Sequence, residues 1–392
     1  MATASQHCSI CGWQFFLVLC PGLLLPCGPK TFNLALAMIS FYPGPSRLDD
    51  NASRFMAEAC QSGILSVNHR SPRFVELMRK TVSVMRQKLA IPANYHIFFT
   101  SSATECWQII AESFINRPGL HLFNGAFGEK WYQYRMKISP NALPMPFHYN
   151  RLPGLNQLAN YQQAGVVCLT QNETSNGTQL RNRRLRKIKG RLPGALLCVD
   201  ATSSMAGVAL DWEVADVWFA SVQKCFGLPA GLGVMVCSPR AVEASQQDGL
   251  NRHYNSLAFM AEKMEAFQTT HTPNMLGIYL LCKVLQQRED IARVERKLKA
   301  RMLHLNERLM HLRYQLLVTS PRLRSFTVTA IKAAPEAIDA MRKAALSAGI
   351  MPGNGYGTWK DTTLRFANFP AITDAEFEQL HKFLDEFRIR QA

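Results

Sequence analysis

Acidic residues are scarce in this sequence: its 392 residues include 28 Asp plus Glu against 44 Lys plus Arg, a formal net charge of +16. Only 18% of the residues are charged and 47% are hydrophobic, which excludes an intrinsically disordered chain. No run of about 18 consecutive apolar residues occurs, so we expect neither a membrane-spanning helix nor a membrane partner. The length predicts two or three domains with a large core.

Closely spaced metal ligands are almost absent. Cys8 and Cys11 form a Cys-x-x-Cys pair, but neither a second tight pair nor a His-x-x-x-His partner follows, so we expect no bound metal. Cys168, Cys198 and Cys237 lie singly in strand-like apolar runs, as buried cysteines do in a reducing compartment. This pattern predicts a cytoplasmic protein.

Charge is nearly missing from residues 1–37, where Lys30 is the single charged residue. An apolar stretch over residues 13–25 is interrupted by Pro21, and no positive charge precedes it as a secretory signal requires. An ordinary globular pattern begins at Met38. We expect residues 1–37 to be an extension outside the fold, with translation starting at Met38; a cleaved export signal is the alternative.

Positive charge is concentrated in one run of seven cations within eleven residues: Arg181, Arg183, Arg184, Arg186, Lys187, Lys189 and Arg191. Such a run is typical of a solvated helix face, and it is also typical of a surface that binds nucleic acid. No aromatic residues are interleaved to stack on bases, and no known nucleic-acid module accompanies it. We therefore expect no nucleic-acid partner and keep a basic nucleic-acid-binding protein as a distant alternative.

Short apolar runs alternate with helical periodicity from Met38 onward. The strand-like runs are residues 97–99, 120–123, 165–170, 195–200, 217–220 and 233–237. Continuous apolar strands separated by helices predict an α/β fold with a mostly parallel sheet covered on both faces. A long helical stretch over about 273–314 then leads to strand signals at 326–328 and 363–366. We predict an N-terminal arm (38–53), a large domain (54–255) and a smaller α+β C-terminal domain (256–392).

Ligands of such sheets bind beyond the carboxyl ends of the strands. The residues at those ends are Thr100 to Thr104, Asn124 to Phe127, Gln171 to Thr174, Asp200, and Ser221 to Lys224. Together they offer an amine, a carboxylate, an aromatic ring and a helix N-terminus. Pyridoxal phosphate needs an amine for a Schiff base, an acid beside its ring nitrogen, a stacking surface and N–H donors for its phosphate. The set therefore predicts pyridoxal phosphate chemistry.

Asp200 and Lys224 are the two residues with the most specific settings. Asp200 ends an apolar strand, so its carboxylate emerges at the rim, where it can pair with a pyridinium nitrogen. Lys224 lies among Val222, Cys225 and Phe226, where a solvated ammonium has little reason to be. Burial there lowers the pKa of an amine, as a nucleophile requires.

These residues also carry a family resemblance that covers nearly all of residues 38–392. The chain resembles the class V aminotransferases of fold type I, whose large domain holds a mostly parallel seven-stranded sheet. The motifs that carry the resemblance are residues 41–46 (Phe-Tyr-Pro-Gly-Pro-Ser), 68–71 (Asn-His-Arg-Ser), 170–177 (Thr-Gln-Asn-Glu-Thr-Ser-Asn-Gly), 221–224 (Ser-Val-Gln-Lys), 355–357 (Gly-Tyr-Gly) and 368–370 (Asn-Phe-Pro).

The resemblance implies a role for each matching position. Lys224 would bond the cofactor and move the substrate proton, while Asp200 would pair with the ring nitrogen. Cofactor contacts are implied for Phe127 (stacking), Thr174 (3′ oxygen), and Ala103, Thr104 and Gln223 (phosphate). His271 and Thr272 match the segment that reaches a neighbouring subunit's phosphate, which implies a homodimer with shared active sites. Arg365 would hold the substrate α-carboxylate, and His69 and Arg70 a substrate phosphate.

Two departures from the family pattern bear on the substrate. Residues 101–104 (Ser-Ser-Ala-Thr) contain no glycine, although the family usually has several in its phosphate loop. Residues 354–360 lack the His-Arg pair of the phosphoserine branch, and their Gly-Tyr-Gly resembles the alanine–glyoxylate and serine–pyruvate branch. We expect an aminotransferase acting on phosphoserine and 2-oxoglutarate, as in serine biosynthesis, because His69 and Arg70 match the more substrate-specific motif. The alanine–glyoxylate or serine–pyruvate type is the alternative.

Overall fold

A computed structural model describes residues 38–248 and 253–387; the predicted extension, residues 1–37, lies outside them. The strands are β1 (Ile39–Phe41), β2 (His96–Thr100), β3 (Gly119–Phe123), β4 (Ala142–Pro146), β5 (Val166–Thr170), β6 (Asn172–Glu173), β7 (Thr178–Gln179), β8 (Leu196–Asp200), β9 (Val217–Ser221), β10 (Gly233–Cys237), β11 (Gln315–Leu316), β12 (Val328–Lys332), β13 (Ile350–Asn354) and β14 (Thr363–Ala367). The helices are α1 (Ala52–Gln61), α2 (Pro72–Leu89), α3 (Ala103–Ser113), α4 (Ala126–Ile138), α5 (Asn182–Arg191), α6 (Pro239–Gln247), α7 (Leu257–Glu265), α8 (Met275–Gln287), α9 (Ile291–His311), α10 (Pro335–Ser347) and α11 (Asp374–Glu386).

Seven strands form the large sheet, in the order β2-β10-β9-β8-β5-β3-β4. Strand β10 runs antiparallel to both of its neighbours, and the pairs from β9 to β4 are parallel. The strands are apolar throughout because both faces are covered: Leu197 and Val199 of β8 enter one core, and Leu196 and Cys198 enter the other. The predicted α/β fold with a mostly parallel sheet is confirmed.

A second sheet has the order β1-β13-β14-β12-β11. Its edge strand β1 pairs in parallel with β13, with Ile39 opposite Ile350. The sequence assigned residues 38–53 to an N-terminal arm, and it gave no sign that Ile39–Phe41 extends the second sheet. Three residues are too few to show a periodicity, so the pairing depends on a partner more than 300 residues away. The predicted domain boundaries stay predictions.

Two elements differ from the sequence-based prediction. The helical stretch 273–314 is broken at Arg288–Asp290, where the backbone of Arg288 is extended and its side chain donates to the carbonyls of Cys225 (2.7 Å) and Phe226 (3.0 Å). The strand expected at 326–328 begins only at Val328, because the Ser325 hydroxyl accepts from the N–H groups of Thr327 and Val328 and holds a turn there.

The basic run forms helix α5, as predicted, and most of its cations contact the protein itself. Four of the seven have polar partners: Arg181 the Arg324 carbonyl, Arg184 the Pro153 carbonyl, Arg186 the Asp211 carboxylate, and Lys189 the Asp216 carboxylate. The Arg181 guanidinium also lies 3.5 Å from the ring centre of Phe326. Because of these contacts, fewer unpaired cations are available to bind a polyanion than the sequence suggested. In the part of the chain described here, no helix combines the length and apolar character needed to cross a membrane.

Candidate active site

The carboxyl ends of β5, β8 and β9 open into one cleft of about 240 Å³. Eight residues that the sequence predicts as site residues line it: Ala103, Thr104, Phe127, Thr174, Asp200, Gln223, Lys224 and Arg365. They come from both sheets, since Arg365 is on β14 and Asp200 is on β8. The fold therefore brings together residues that are up to 262 positions apart, from Ala103 to Arg365.

Lys224 is buried in the turn after β9, with its ammonium directed into the cleft. Nζ donates to the hydroxyls of Thr174 (2.7 Å) and Ser203 (3.0 Å). Burial lowers the pKa of Lys224 to about 8, and the nearby Asp200 carboxylate opposes that shift. Gly44 passes so close that a Cβ there would lie 2.6 Å from Lys224 Cε. Lys224 is thus a confined, desolvated amine.

Asp200 is buried at the end of β8, and each of its carboxylate oxygens has a donor. Oδ1 accepts from the N–H of Thr202 (2.9 Å), and Oδ2 accepts from Trp107 Nε1 (3.3 Å). Burial raises the pKa of Asp200, against the hydrogen bonds from Thr202 and the charge of Lys224. The sequence did not suggest Trp107 as a site residue, because a tryptophan at apolar helical spacing is typical of a core.

Phe127 supplies an aromatic wall near the amine. Its ring centre lies 5.1 Å from Lys224 Nζ and 4.9 Å from the ring centre of Tyr356, with the two rings nearly parallel. Tyr356 also lines the cleft, and the Arg365 guanidinium lies 5.7 Å from its ring centre. The wall therefore continues from Phe127 towards Arg365. Tyr356 was noticed in the sequence only as part of a motif.

The N-terminus of α3 lies at the cleft. The loop that precedes this helix contains no glycine. The Ser102 hydroxyl caps the helix by accepting from Glu105 N–H (3.1 Å), and Ala103 N–H donates to Ser221 Oγ (2.7 Å). The small residue required here is Gly233 on the facing strand β10, where a Cβ would lie 2.8 Å from the carbonyl carbon of Ser102. Gly233 thus allows β10 and the loop before α3 to approach closely.

Arg365 is a buried cation held by backbone carbonyls. Its Nε donates to Asn354 O (2.7 Å) and one terminal nitrogen donates to Thr174 O (2.8 Å). Within residues 38–248 and 253–387, no carboxylate lies within ion-pairing distance of it. Burial lowers the pKa of Arg365 to about 10, so the guanidinium remains charged at neutral pH. An anionic group entering the cleft would meet a fixed positive charge.

The other four predicted residues, His69, Arg70, His271 and Thr272, do not line this cleft. They lie near one another on a separate surface: Thr272 Oγ1 is 3.4 Å from His69 Nδ1, and Arg70 donates to Gln268 (3.3 Å). Burial, with the charges of Arg70 and His271, lowers the pKa of His69. Within a single chain the structure thus separates these residues from Lys224.

Comparison with known proteins gives consistent matches along this chain. The model of the family "Aminotransferase class-V" matches residues 43–351. A phosphoserine aminotransferase from Nocardioides sp. is 26% identical over 359 residues, covering 88% of this chain and 94% of that protein. The crystal structure of a phosphoserine aminotransferase from Cytophaga hutchinsonii is similar with a TM-score of 0.85 and 29% identity, covering 90% of this chain and 99% of that one.

The solved structures that resemble the chain also include an alanine–glyoxylate aminotransferase from Nostoc sp., with a TM-score of 0.76 and 20% identity over 94% of this chain and 97% of that one. At that identity the similarity shows the fold alone. The predicted fold type and the predicted enzyme class, transamination, are confirmed by these matches. The family model matches most of the length of this chain, and the chain therefore belongs to the class-V aminotransferases.

Proposed function

We propose that the chain binds pyridoxal phosphate in the Lys224 cleft and transfers amino groups from phosphoserine to 2-oxoglutarate. The main observation that supports the proposal is that Lys224, Asp200 and Arg365 line the same cleft. The cytoplasmic location proposed from the sequence agrees with the buried cysteines of the sheet, which are all free in the described residues.

The residues of the cleft fit the cofactor. Three polar atoms, Thr170 Oγ1, Asn172 Oδ1 and Thr202 Oγ1, are buried among the cleft residues without a hydrogen-bond partner in the described chain. Buried polar atoms are normally paired, so a polar ligand in the cleft accounts for them. Phe127 offers the stacking face, Asp200 the acid, and the N-terminus of α3 the phosphate site, with Ala103, Thr104 and Gln223 at its edge.

Pyridoxal phosphate, when bound, withdraws electrons from the α-carbon of an amino acid so that its proton becomes acidic. Lys224 is placed to take that proton and to return it, because its buried amine has a pKa of about 8, close to the physiological range. Thr174 and Ser203 orient the amine through their hydroxyls. Asp200 provides a carboxylate in the same cleft, and Trp107 and Thr202 fix its orientation.

We further propose a homodimer in which His69, Arg70, His271 and Thr272 complete the cleft of the second subunit. Their separation from the cleft of their own chain supports this arrangement, since four predicted site residues share one surface. In that arrangement His69 and Arg70 would contact the phosphate of the substrate. An equilibrium sedimentation experiment that finds only monomers would contradict the shared site.

The alanine–glyoxylate or serine–pyruvate type is the second candidate. Residues 354–360 favour this candidate, because the phosphoserine branch would have its His-Arg pair in this stretch. In this chain the stretch instead contributes Tyr356 to the lining of the cleft. Steady-state kinetics with phosphoserine, alanine and serine as donors separate the two candidates. We expect a ping-pong pattern with the highest kcat/KM for phosphoserine; a higher value for alanine or serine would favour the second candidate.

We expect the rate at which cofactor-free protein takes up pyridoxal phosphate to rise with pH and to level off above about pH 8. Only the neutral amine can attack an aldehyde, and burial lowers the pKa of Lys224 to about 8. About a tenth of the amine is then neutral at pH 7, far more than for an ordinary lysine with a pKa of about 10.4. Stopped-flow absorbance over pH 6–10 measures the profile.

An Asp200→Asn variant provides a comparison for this profile. Because the Asp200 charge opposes the lowering of the Lys224 pKa, its removal should move the midpoint to lower pH. A wild-type midpoint near 10, as for an exposed lysine, would contradict the assignment of a desolvated amine.

For His69→Ala we expect a selective loss of activity towards phosphorylated donors. A histidine that binds a phosphate contributes a charged hydrogen bond, so kcat/KM for phosphoserine should fall about 10- to 100-fold. Alanine carries no phosphate and serves as the internal control. An equal loss with alanine would assign His69 a structural role instead.

A further inference from the structure

Glu173 is a buried carboxylate next to the cleft, and within the described residues no cation forms an ion pair with it. Its Oε1 accepts from the N–H (3.0 Å) and hydroxyl (2.6 Å) of Ser175, and its Oε2 accepts from Gly128 N–H (3.1 Å). Phe127 N–H is directed at Oε1 from 3.5 Å. Within the described residues its direct partners are N–H and O–H groups, while the charges of Lys224 and Arg365 act on it from a longer distance.

The N–H groups of Phe127 and Gly128 are at the N-terminus of α4, the helix that carries Phe127. The residue before the helix, Gly125, has no side chain to cap it; Glu173 and Ser175 provide the cap from the neighbouring segment, and Ser175 Oγ accepts from Ala126 N–H (3.0 Å). A carboxylate at a helix N-terminus is also favoured by the helix dipole. A Cβ on Gly125 would lie 2.6 Å from Ser175 Oγ, so glycine is what lets the cap approach.

Thr174, between Glu173 and Ser175, contacts the other side of the site. Its hydroxyl accepts from Lys224 Nζ (2.7 Å), and its carbonyl accepts from Arg365 (2.8 Å). The outer two side chains of this tripeptide thus contact the backbone of the first turn of α4, and its central residue contacts the amine and the guanidinium. A displacement of the N-terminus of α4 changes the position of Phe127 relative to Lys224.

We propose that Glu173 is a positioning residue that holds the Phe127 ring at its place in the cleft, 5.1 Å from Lys224 Nζ, where the ring would stack on the cofactor, an inference that rests on the proposed function. Glu173 has no atom in the cleft lining and acts through α4. Its charge holds the first turn of the helix, and the turn holds the ring. An amide in its place keeps one acceptor oxygen but turns an NH2 donor towards the other N–H group, so the contacts with Phe127 and Gly128 weaken and the first turn of α4 is less firmly held.

The test compares Glu173→Gln with the wild-type protein by two measurements on the full-length chain. The affinity for pyridoxal phosphate should fall about 10-fold, the loss of one charge-assisted hydrogen bond, and the visible circular dichroism per bound cofactor should fall with it. The matched control is Glu129→Gln, an exposed carboxylate in the first turn of the same helix, which should leave both values unchanged. Ser175→Ala, a milder variant, should shift both values in the same direction.

A double-mutant cycle with Phe127→Leu decides whether Glu173 acts through the ring. If it does, the double variant should bind the cofactor about as weakly as Phe127→Leu alone. Additive losses, or a drop in thermal stability with unchanged affinity and dichroism, would overturn the positioning role and leave the proposed function standing. A wild-type protein that binds no pyridoxal phosphate would overturn both.

Discussion

The Lys224→Ala variant should lose amino transfer, with kcat reduced by more than about 1,000-fold, while its fold stays intact. Among the described residues, Lys224 is the amine at hydrogen-bond distance from Thr174 and Ser203, and alanine at this position cannot form a Schiff base. The fold should survive because the ammonium is desolvated, so its removal takes an unfavourable charge out of the interior. Turnover assays measure the loss of amino transfer, and far-ultraviolet circular dichroism measures whether the fold stays intact.

The matched control is Lys187→Ala, since Lys187 is an exposed lysine on α5 that does not line the cleft. We expect it to retain most of the kcat of the wild type. Full transamination by Lys224→Ala would refute the assignment of this lysine, and an unfolded variant would show that its contacts with Thr174 and Ser203 are structural.

The Arg365→Lys variant should raise the KM for amino acids about 10- to 100-fold and leave the affinity for pyridoxal phosphate unchanged. Arg365 keeps its charge in a buried setting and is oriented by the carbonyls of Asn354 and Thr174. A planar guanidinium can bind a carboxylate through two parallel hydrogen bonds, whereas a lysine ammonium offers a point charge. Losing one charge-assisted bond of about 1.5–3 kcal/mol accounts for that change in KM.

Cofactor affinity is the control measurement for Arg365→Lys, because it separates substrate capture from damage to the cleft. A weaker binding of pyridoxal phosphate by the same factor would point to a general distortion of the site. An unchanged apparent affinity for amino acids would contradict the carboxylate-binding role.

The sequence predicts those site residues that belong to a local pattern, such as polar residues at the end of an apolar strand. The apolar strands β5, β8 and β9 end in polar residues, and parallel strands place these ends at one edge of the sheet. Asp200 and Lys224 could be identified in this way, from a carboxylate at a strand end and a lysine among apolar neighbours. Phe127 also follows a strand end, but its stacking role and the choice of Arg365 needed the family resemblance, since a single phenylalanine or arginine has no distinctive local pattern.

The parts that the sequence does not predict depend on contacts between distant residues. Trp107 donates to Asp200 from 93 positions away, and Glu173 caps a helix about 45 positions away. Gly233, on β10, allows the close approach of Ser102 in the loop before α3. Such pairings follow from the packing of α3 and α4 on the sheet and from the position of β10 within it. No periodicity within one segment reveals them.

The central claim is that Lys224 bonds pyridoxal phosphate, and an absorbance spectrum of the purified protein tests it most directly. We expect a yellow band at about 410–430 nm, present after incubation with the cofactor, absent in Lys224→Ala, and bleached most efficiently by the preferred amino donor. A protein that stays colourless after incubation with pyridoxal phosphate, or a Lys224→Ala variant with the same band as the wild type, would contradict the claim.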